Sequence, residues 1–214
     1  MYLPRHFQIQ DPDEVAALVR SVGAADLITI GPEGVPEATR VPILWDAGTD
    51  TVLAHLARAN PQWRNMSDSS PALLIVTAHE AYVSPNWYPS KPADGRVVPT
   101  WNYSAVHLTG TLTVHDDVEF VRDVVTRLTE AHESGRAAPW AVSDAPDRYI
   151  ESQLRAIVGI AVQVNRVEAK AKLSQNRTAV DQAGVIAGLV AESAPNSAAV
   201  ATAMSAATPN ANAG

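Results

Sequence analysis

The chain has 214 residues, with 16 lysines and arginines against 23 aspartates and glutamates, a formal net charge of −7 and no cysteine. The missing cysteines exclude disulfides, thiolate metal sites and cysteine nucleophiles. The acidic balance argues against a broad nucleic-acid-binding surface, because such surfaces normally carry a basic face.

A membrane location is also not expected. No apolar run approaches the ~20 residues that a membrane-spanning helix requires, and the N-terminal stretch MYLPRHFQIQ lacks the apolar core of a signal peptide. We therefore expect a soluble, cytoplasmic protein, and the lack of cysteine is compatible with that reducing compartment.

The first predicted element is an amphipathic helix in DPDEVAALVRSVG, capped by Asp11 and ended by Gly23. Strands are predicted next in ADLITIG, ATRVPILWD, DTVLAHLA and ALLIVTAH, with a short helix starting at Pro61. Because proline lacks a backbone N–H, Pro42 indicates a sheet edge or a bulge in the second strand.

The second half of the chain continues the pattern. SAVHLTGTLTVH alternates as a strand, and DDVEFVRDVVTRLTEAHESG predicts a helix capped by Asp116 and ended by Gly135. A shorter helix in PDRYIESQLRAI and a long strand in GIAVQVNRVEAKAKL follow. Strands outnumber helices and are joined by short turns, so we predict a mainly β or α+β fold with an antiparallel barrel.

The composition changes near residue 193 to SAPNSAAVATAMSAATPNANAG, which has no charge and few large apolar side chains. Such a segment has little surface to bury, so we expect a disordered tail over residues 193–214. Residues 1–192 are expected to form a single domain.

The stretch HLARANPQWRN concentrates polar side chains where a strand passes into the predicted short helix. With Asn60 as the helix cap, free N–H groups next to Arg58 could bind a phosphate. The alternative is structural: Arg58 and Arg64 form a solvated face, and Trp63 packs into the core.

Two further segments carry candidate binding residues. Residues 82–103 form a stiff, aromatic-rich segment that includes Trp87, Tyr88, Trp101 and Tyr103; such a segment could stack on a planar ligand or form a subunit interface. The stretch KAKLSQN, residues 170–176, gathers a cation, a hydroxyl and amides. An exposed polar turn is the alternative for that second stretch.

Other chemistries lack a pattern in the sequence. His107 and His115 are eight residues apart on a predicted strand, roughly 26 Å at ~3.3 Å per residue, so they cannot share a metal. The chain has no GxGxxG or GxxxxGK[ST] sequence. We predict no metal site and assign no catalytic residue.

Three groups of residues together resemble the PaiB family of FMN-binding negative transcriptional regulators. They are MYLPRHF at the start, HLARANPQW with YVSPNWY…VPTWNYSAVHLTG in the middle, and EAKAKLSQN at the end. The resemblance covers residues 1–190. Glu168 and Ala169 stand where relatives often have a glycine, and the alanine-rich tail has no counterpart in the family.

The resemblance implies an FMN-binding split β-barrel with peripheral helices, whose flavin lies in the cleft of a homodimer. The residues it implies near the isoalloxazine ring are Arg40, Val41, Pro42, Trp101, Asn102, Lys172 and Gln175. Those it implies near the ribityl phosphate are His55, Ala57, Arg58 and Asn60.

The family name implies gene repression, yet the net charge of −7 and the lack of a recognition helix argue against tight direct DNA binding. Regulation would then be indirect. Two other functions stay open: a flavin-dependent oxidoreductase linked to NAD(P)H or F420, with His55 and Tyr103 as acid–base candidates, and a haem-binding split barrel.

Overall fold

The computed structural model describes residues 1–66 and 69–207, and within them six strands form one antiparallel sheet. The sheet closes into a barrel in the order β1-β2-β3-β6-β5-β4. This confirms the predicted α+β barrel. The strands are β1 (Ala24–Ile30), β2 (Pro36–Asp46), β3 (Thr51–Ala57), β4 (Ser70–Val83), β5 (Thr100–His115) and β6 (Ile157–Lys172).

The helices of the described residues are α1 (Pro12–Val22), α2 (Lys91–Asp94), α3 (Val118–Glu133), α4 (Asp147–Leu154), α5 (Ala179–Ala191) and α6 (Ser197–Ala207). The left-handed Gly23, with φ +64°, follows α1 as predicted. The predicted cap of α3 is wrong by one residue: Asp117 accepts the N–H groups of Glu119 and Phe120. None of these helices is long and apolar enough to cross a membrane.

The chain divides into two compact units. Unit 1 comprises Met1–Val15, Thr77–Val106 and Glu168–Gly214, and unit 2 comprises Ala16–Val76 and His107–Val167. The composition along the chain predicts one domain over residues 1–192. Each unit is assembled from segments that are distant in the chain, so composition along the chain does not reveal the division.

Unit 2 contains a core of strand residues at alternate positions, including the fully buried Leu27, Leu56 and Ile160. On the other face of β3, Leu53 packs with Val124 and Leu128 of α3. A helix therefore covers the outer face of β3, and the residues beside Leu53 on that face lie next to α3.

Pro42 lies in a strand with a neighbour on each side, so the prediction of a sheet edge is wrong. The ladder with β1 includes the pair Ala24 and Pro42, whereas the ladder with β3 starts one residue later, at Ile43 and Ala54. The nitrogen of Pro42 faces β3, because the N–H of the next residue, Ile43, donates to Gly23 on the opposite side. The pairing with β3 starts only at Ile43, so no hydrogen bond to β3 is lost at Pro42.

Helix α6 forms within the segment predicted to be disordered, which corrects that expectation for residues 197–207. Val200, Ala201 and Met204 are buried in the core of unit 1, together with Leu189 of α5 and Tyr88. Their spacing places these three side chains on one face of the helix, and that face packs into the core. Residues 208–214 of the predicted tail lie outside the described residues.

Candidate functional site

The strand β2 carries three of the predicted flavin-binding residues, on two different faces. Arg40 is exposed and forms an ion pair with Asp26 at 3.3 Å. The side chain of Val41 is buried in unit 2. Because side chains alternate along a strand, Arg40 and Pro42 share the outer face, and Val41 does not.

His55 lies on β3, on the same outer face as Pro42 and next to it across the strands. Its Nδ1 atom is buried and has no hydrogen-bond partner among the described residues. Burial lowers the pKa of His55 below 6.5. The imidazole is therefore neutral at pH 7 and is able to donate or accept one further hydrogen bond.

A hollow of about 320 Å³ lies beside His55 and Pro42 in unit 2. The remaining lining residues come from α3 and the segment that follows it: Val125, Leu128, Thr129, His132, Glu133 and Trp140. An apolar wall with a few polar groups is typical of small-molecule sites. No group of three or more metal-ligating side chains occurs in residues 1–66 and 69–207.

Arg58 directly follows β3 and is held by partners from distant parts of the chain. Its Nε atom donates to the carbonyl of Arg155, and its Nη2 atom donates to Asp116 and to the carbonyl of Ile157. The pairing with Asp116 raises the pKa of Arg58 and lowers that of Asp116. The guanidinium is thus oriented, and Nη1 has no partner among the described residues.

Asn60 caps the short helix, as predicted, but that helix is a five-residue 3-10 turn, Pro61–Asn65. The Asn60 Oδ1 atom accepts the N–H of Gln62, and its Nδ2 donates to Thr39. The turn therefore offers fewer free N–H groups than the α-helix terminus that the phosphate prediction assumed. Neighbouring Ala57 is exposed at the end of β3.

Gln62 anchors this turn and was not among the predicted site residues. Its side chain is 2% exposed. Its Nε2 atom donates to Thr29 and to the carbonyls of Leu27 and Glu37, and its Oε1 accepts from Thr39. A glutamine two residues after a cap carries no recognisable signal, because these partners become visible only when β1 and β2 are paired.

The remaining predicted residues belong to unit 1. Trp101 is 52% exposed and contacts the edge of Tyr82. Asn102 is fully buried and donates from Nδ2 to Ser174 at 2.9 Å and to the sulfur of Met204 at 3.3 Å. Trp101 therefore has a ring available for stacking, whereas Asn102 is tied into the core of its unit.

Lys172 and Gln175 lie at the end of β6 and in the turn that follows. The Lys172 ammonium donates to the Thr100 hydroxyl and the Trp101 carbonyl. The Gln175 side chain accepts the N–H of Leu173 and donates to the carbonyl of Ala171, so it stabilises the turn itself. Seven predicted residues thus belong to unit 2 and four to unit 1.

The fold defines the class of protein. The chain resembles the FAD- and heme-binding protein of Mycobacterium smegmatis with a TM-score of 0.58, at 20% identity over 77% of this chain and 73% of that one. It also resembles the flavocytochrome Anf3 of Azotobacter vinelandii with a TM-score of 0.56, at 16% identity over 82% of this chain and 72% of that one. The chain has the fold of the flavin-binding split barrels.

The family follows from the sequence comparisons. The model described as "Putative FMN-binding domain" matches residues 1–166, and the chain belongs to this family. It is 32% identical to the Protease synthase and sporulation protein PAI 2 of Bacillus subtilis, over 92% of both chains. An uncharacterized protein of Aspergillus fumigatus is 34% identical over 67% of both chains.

Proposed function

We propose that this protein binds FMN, and that it does so as a homodimer. The observation that carries the proposal is the match of an FMN-binding domain to residues 1–166, which include both β2 and β3. FMN has a flat ring and a dianionic phosphate, so its site needs an apolar or aromatic surface and a cationic group. When bound, the flavin supplies the redox chemistry.

The donor chemistry near the end of β3 fits the phosphate end of FMN. Arg58 is oriented by two carbonyls and Asp116, and its Nη1 atom remains available for an oxyanion. Arg58 would hold the phosphate, with Asn60 and Gln62 maintaining the turn beside it.

The proposed ring contacts in unit 2 are Arg40 and Pro42 of β2 and the backbone of Val41. His55 is proposed at the ribityl phosphate end, where the unpaired Nδ1 of its neutral imidazole is able to form one further hydrogen bond. The proposed contacts in unit 1 are the exposed ring of Trp101, which is suited to stacking, and the ammonium of Lys172. Asn102 and Gln175 would act by keeping those segments in place.

The experiment is a titration of ligand-free protein with FMN, FAD and riboflavin, followed by flavin fluorescence. We expect the Arg58→Ala, Asn60→Ala double variant to bind FMN at least tenfold more weakly, with a much smaller change for riboflavin, which lacks the phosphate. Arg127→Ala is the matched control, because Arg127 is a half-buried arginine of α3, as Arg58 is, and it pairs with Asp123. Unchanged FMN affinity in the double variant would place the phosphate elsewhere.

We also propose an indirect role in regulation. The B. subtilis relative's name refers to protease synthesis and sporulation, and the net charge of −7 disfavours a DNA-tracking surface. A gel shift at physiological salt tests this: no shift at micromolar protein supports indirect action, and a specific shift refutes it. Oxidoreductase activity, haem binding and a cytoplasmic location stay predictions from the sequence.

A further inference from the structure

A second hollow, of about 90 Å³, lies in unit 1 between the start of β5 and the turn after β6. Its lining residues are Tyr88, Val98, Thr100, Asn102, Lys172, Ser174, Asn176 and Arg177. They include two cations, several hydroxyl and amide groups and no carboxylate. By size, the hollow has room for several water molecules or for one small oxyanion.

The two cations are not neutralised within the lining. Burial lowers the pKa of Lys172, and the charges of Lys170 and Arg177 lower it further. The carboxylate near Arg177 is that of Asp181, and its two oxygens accept the N–H and the hydroxyl of Ser90. Positive charge is thus concentrated here at a cost that a bound anion would remove.

The neutral groups of the lining are fixed in place. Ser174 adopts a left-handed backbone conformation with φ +65°, which is strained for a residue other than glycine. Its hydroxyl exchanges hydrogen bonds with the buried amide of Asn102, at 2.9 and 3.3 Å. This pair rigidifies one wall of the hollow.

Tyr88 supplies an independent observation. The residue is 2% exposed, and its hydroxyl has no hydrogen-bond partner among the described residues. The guanidinium of Arg177 lies 5.0 Å from the centre of its ring. A buried hydroxyl without a partner is costly, so a ligand that accepts its hydrogen bond would stabilise the site.

We propose that this hollow binds one phosphate-sized oxyanion through Lys172, Arg177 and the Tyr88 hydroxyl. The oxyanion is either free in solution or the phosphate group of a ligand such as FMN. Binding of a free oxyanion does not depend on the proposed flavin function. Binding of the FMN phosphate rests on that function and would place the phosphate in this hollow rather than at Arg58.

The test is titration of flavin-free protein with inorganic phosphate, followed by calorimetry. Arg177→Met and Lys172→Met are each expected to weaken binding at least tenfold. Tyr88→Phe keeps the ring and should weaken binding severalfold, through the lost hydrogen bond alone. Lys91→Met is the control, because Lys91 is an exposed lysine of the same unit whose ammonium donates to Asn86 and does not line the hollow. This variant should bind phosphate as the parent protein does.

The two sources are separated by repeating the phosphate titration on protein loaded with FMN or with riboflavin. If the FMN phosphate occupies the hollow, FMN blocks inorganic phosphate and riboflavin does not. If the anion is free, phosphate binds equally in both. The proposal is overturned if the parent protein binds no phosphate and Arg177→Met leaves the ratio of FMN to riboflavin affinity unchanged. Phosphate binding without any flavin binding would support this site and refute the proposed function.

Discussion

Replacing Gln62 by methionine tests whether the turn after β3 is held by its buried amide. Methionine has nearly the same length but cannot donate to Thr29 or to the carbonyls of Leu27 and Glu37, nor accept from Thr39. Those groups would remain in a site that is almost closed to solvent, because Gln62 is 2% exposed.

The expected magnitude follows from these hydrogen bonds. The Nε2 atom has two hydrogens for three acceptors, so the amide makes about three full hydrogen bonds, each contributing about 1 kcal/mol. The apolar methionine side chain returns up to ~1 kcal/mol through burial. We expect a loss of about 2–3 kcal/mol in the free energy of unfolding, equivalent to a Tm lower by about 5–10 °C for a chain of this length.

The assay is chemical denaturation followed by tryptophan fluorescence, together with a thermal melt. Gln153→Met is the matched control, because Gln153 is exposed on α4, and it should change stability by no more than ~0.5 kcal/mol. If Gln62→Met is as mild as the control, the amide does not anchor the turn.

Three further predictions concern His55, α5 and α6. Burial lowers the pKa of His55 below 6.5, so the unfolded chain takes up a proton on this imidazole at a higher pH than the folded chain does. The free energy of unfolding should therefore decrease as the pH falls below 6.5. An NMR titration that gives His55 a normal pKa would contradict this. Gly188→Ala should destabilise the protein by about 1–3 kcal/mol, since the new Cβ would lie 2.3 Å from the Trp87 ring; a melt showing stabilisation would refute it. Met204→Ala should cost about 2–4 kcal/mol, against little for the exposed Thr202→Ala, whereas equal effects would show that α6 does not pack.

The local elements could be predicted from the sequence because their causes are local. The alternation in β5 and the left-handed glycine after α1 depend on residues within a few positions of each other. The same is true of the Asn60 cap. The family resemblance also depends on short sequence motifs, and the family match over residues 1–166 confirms it.

Tertiary structure decided how the polar side chains are used. Asp116 does not cap α3, because it pairs with Arg58, 58 residues away. Gln62 acquires its role only when β1 and β2 are paired beneath it. Helix α6 is ordered because it packs against the apolar side chains of α5. The composition of α6 by itself does not indicate that this surface is present. Sequence periodicity determines which residues a strand or helix buries. Hydrogen-bond partners and covering surfaces come from segments far along the chain, and only strand pairing and the packing within each unit bring them together.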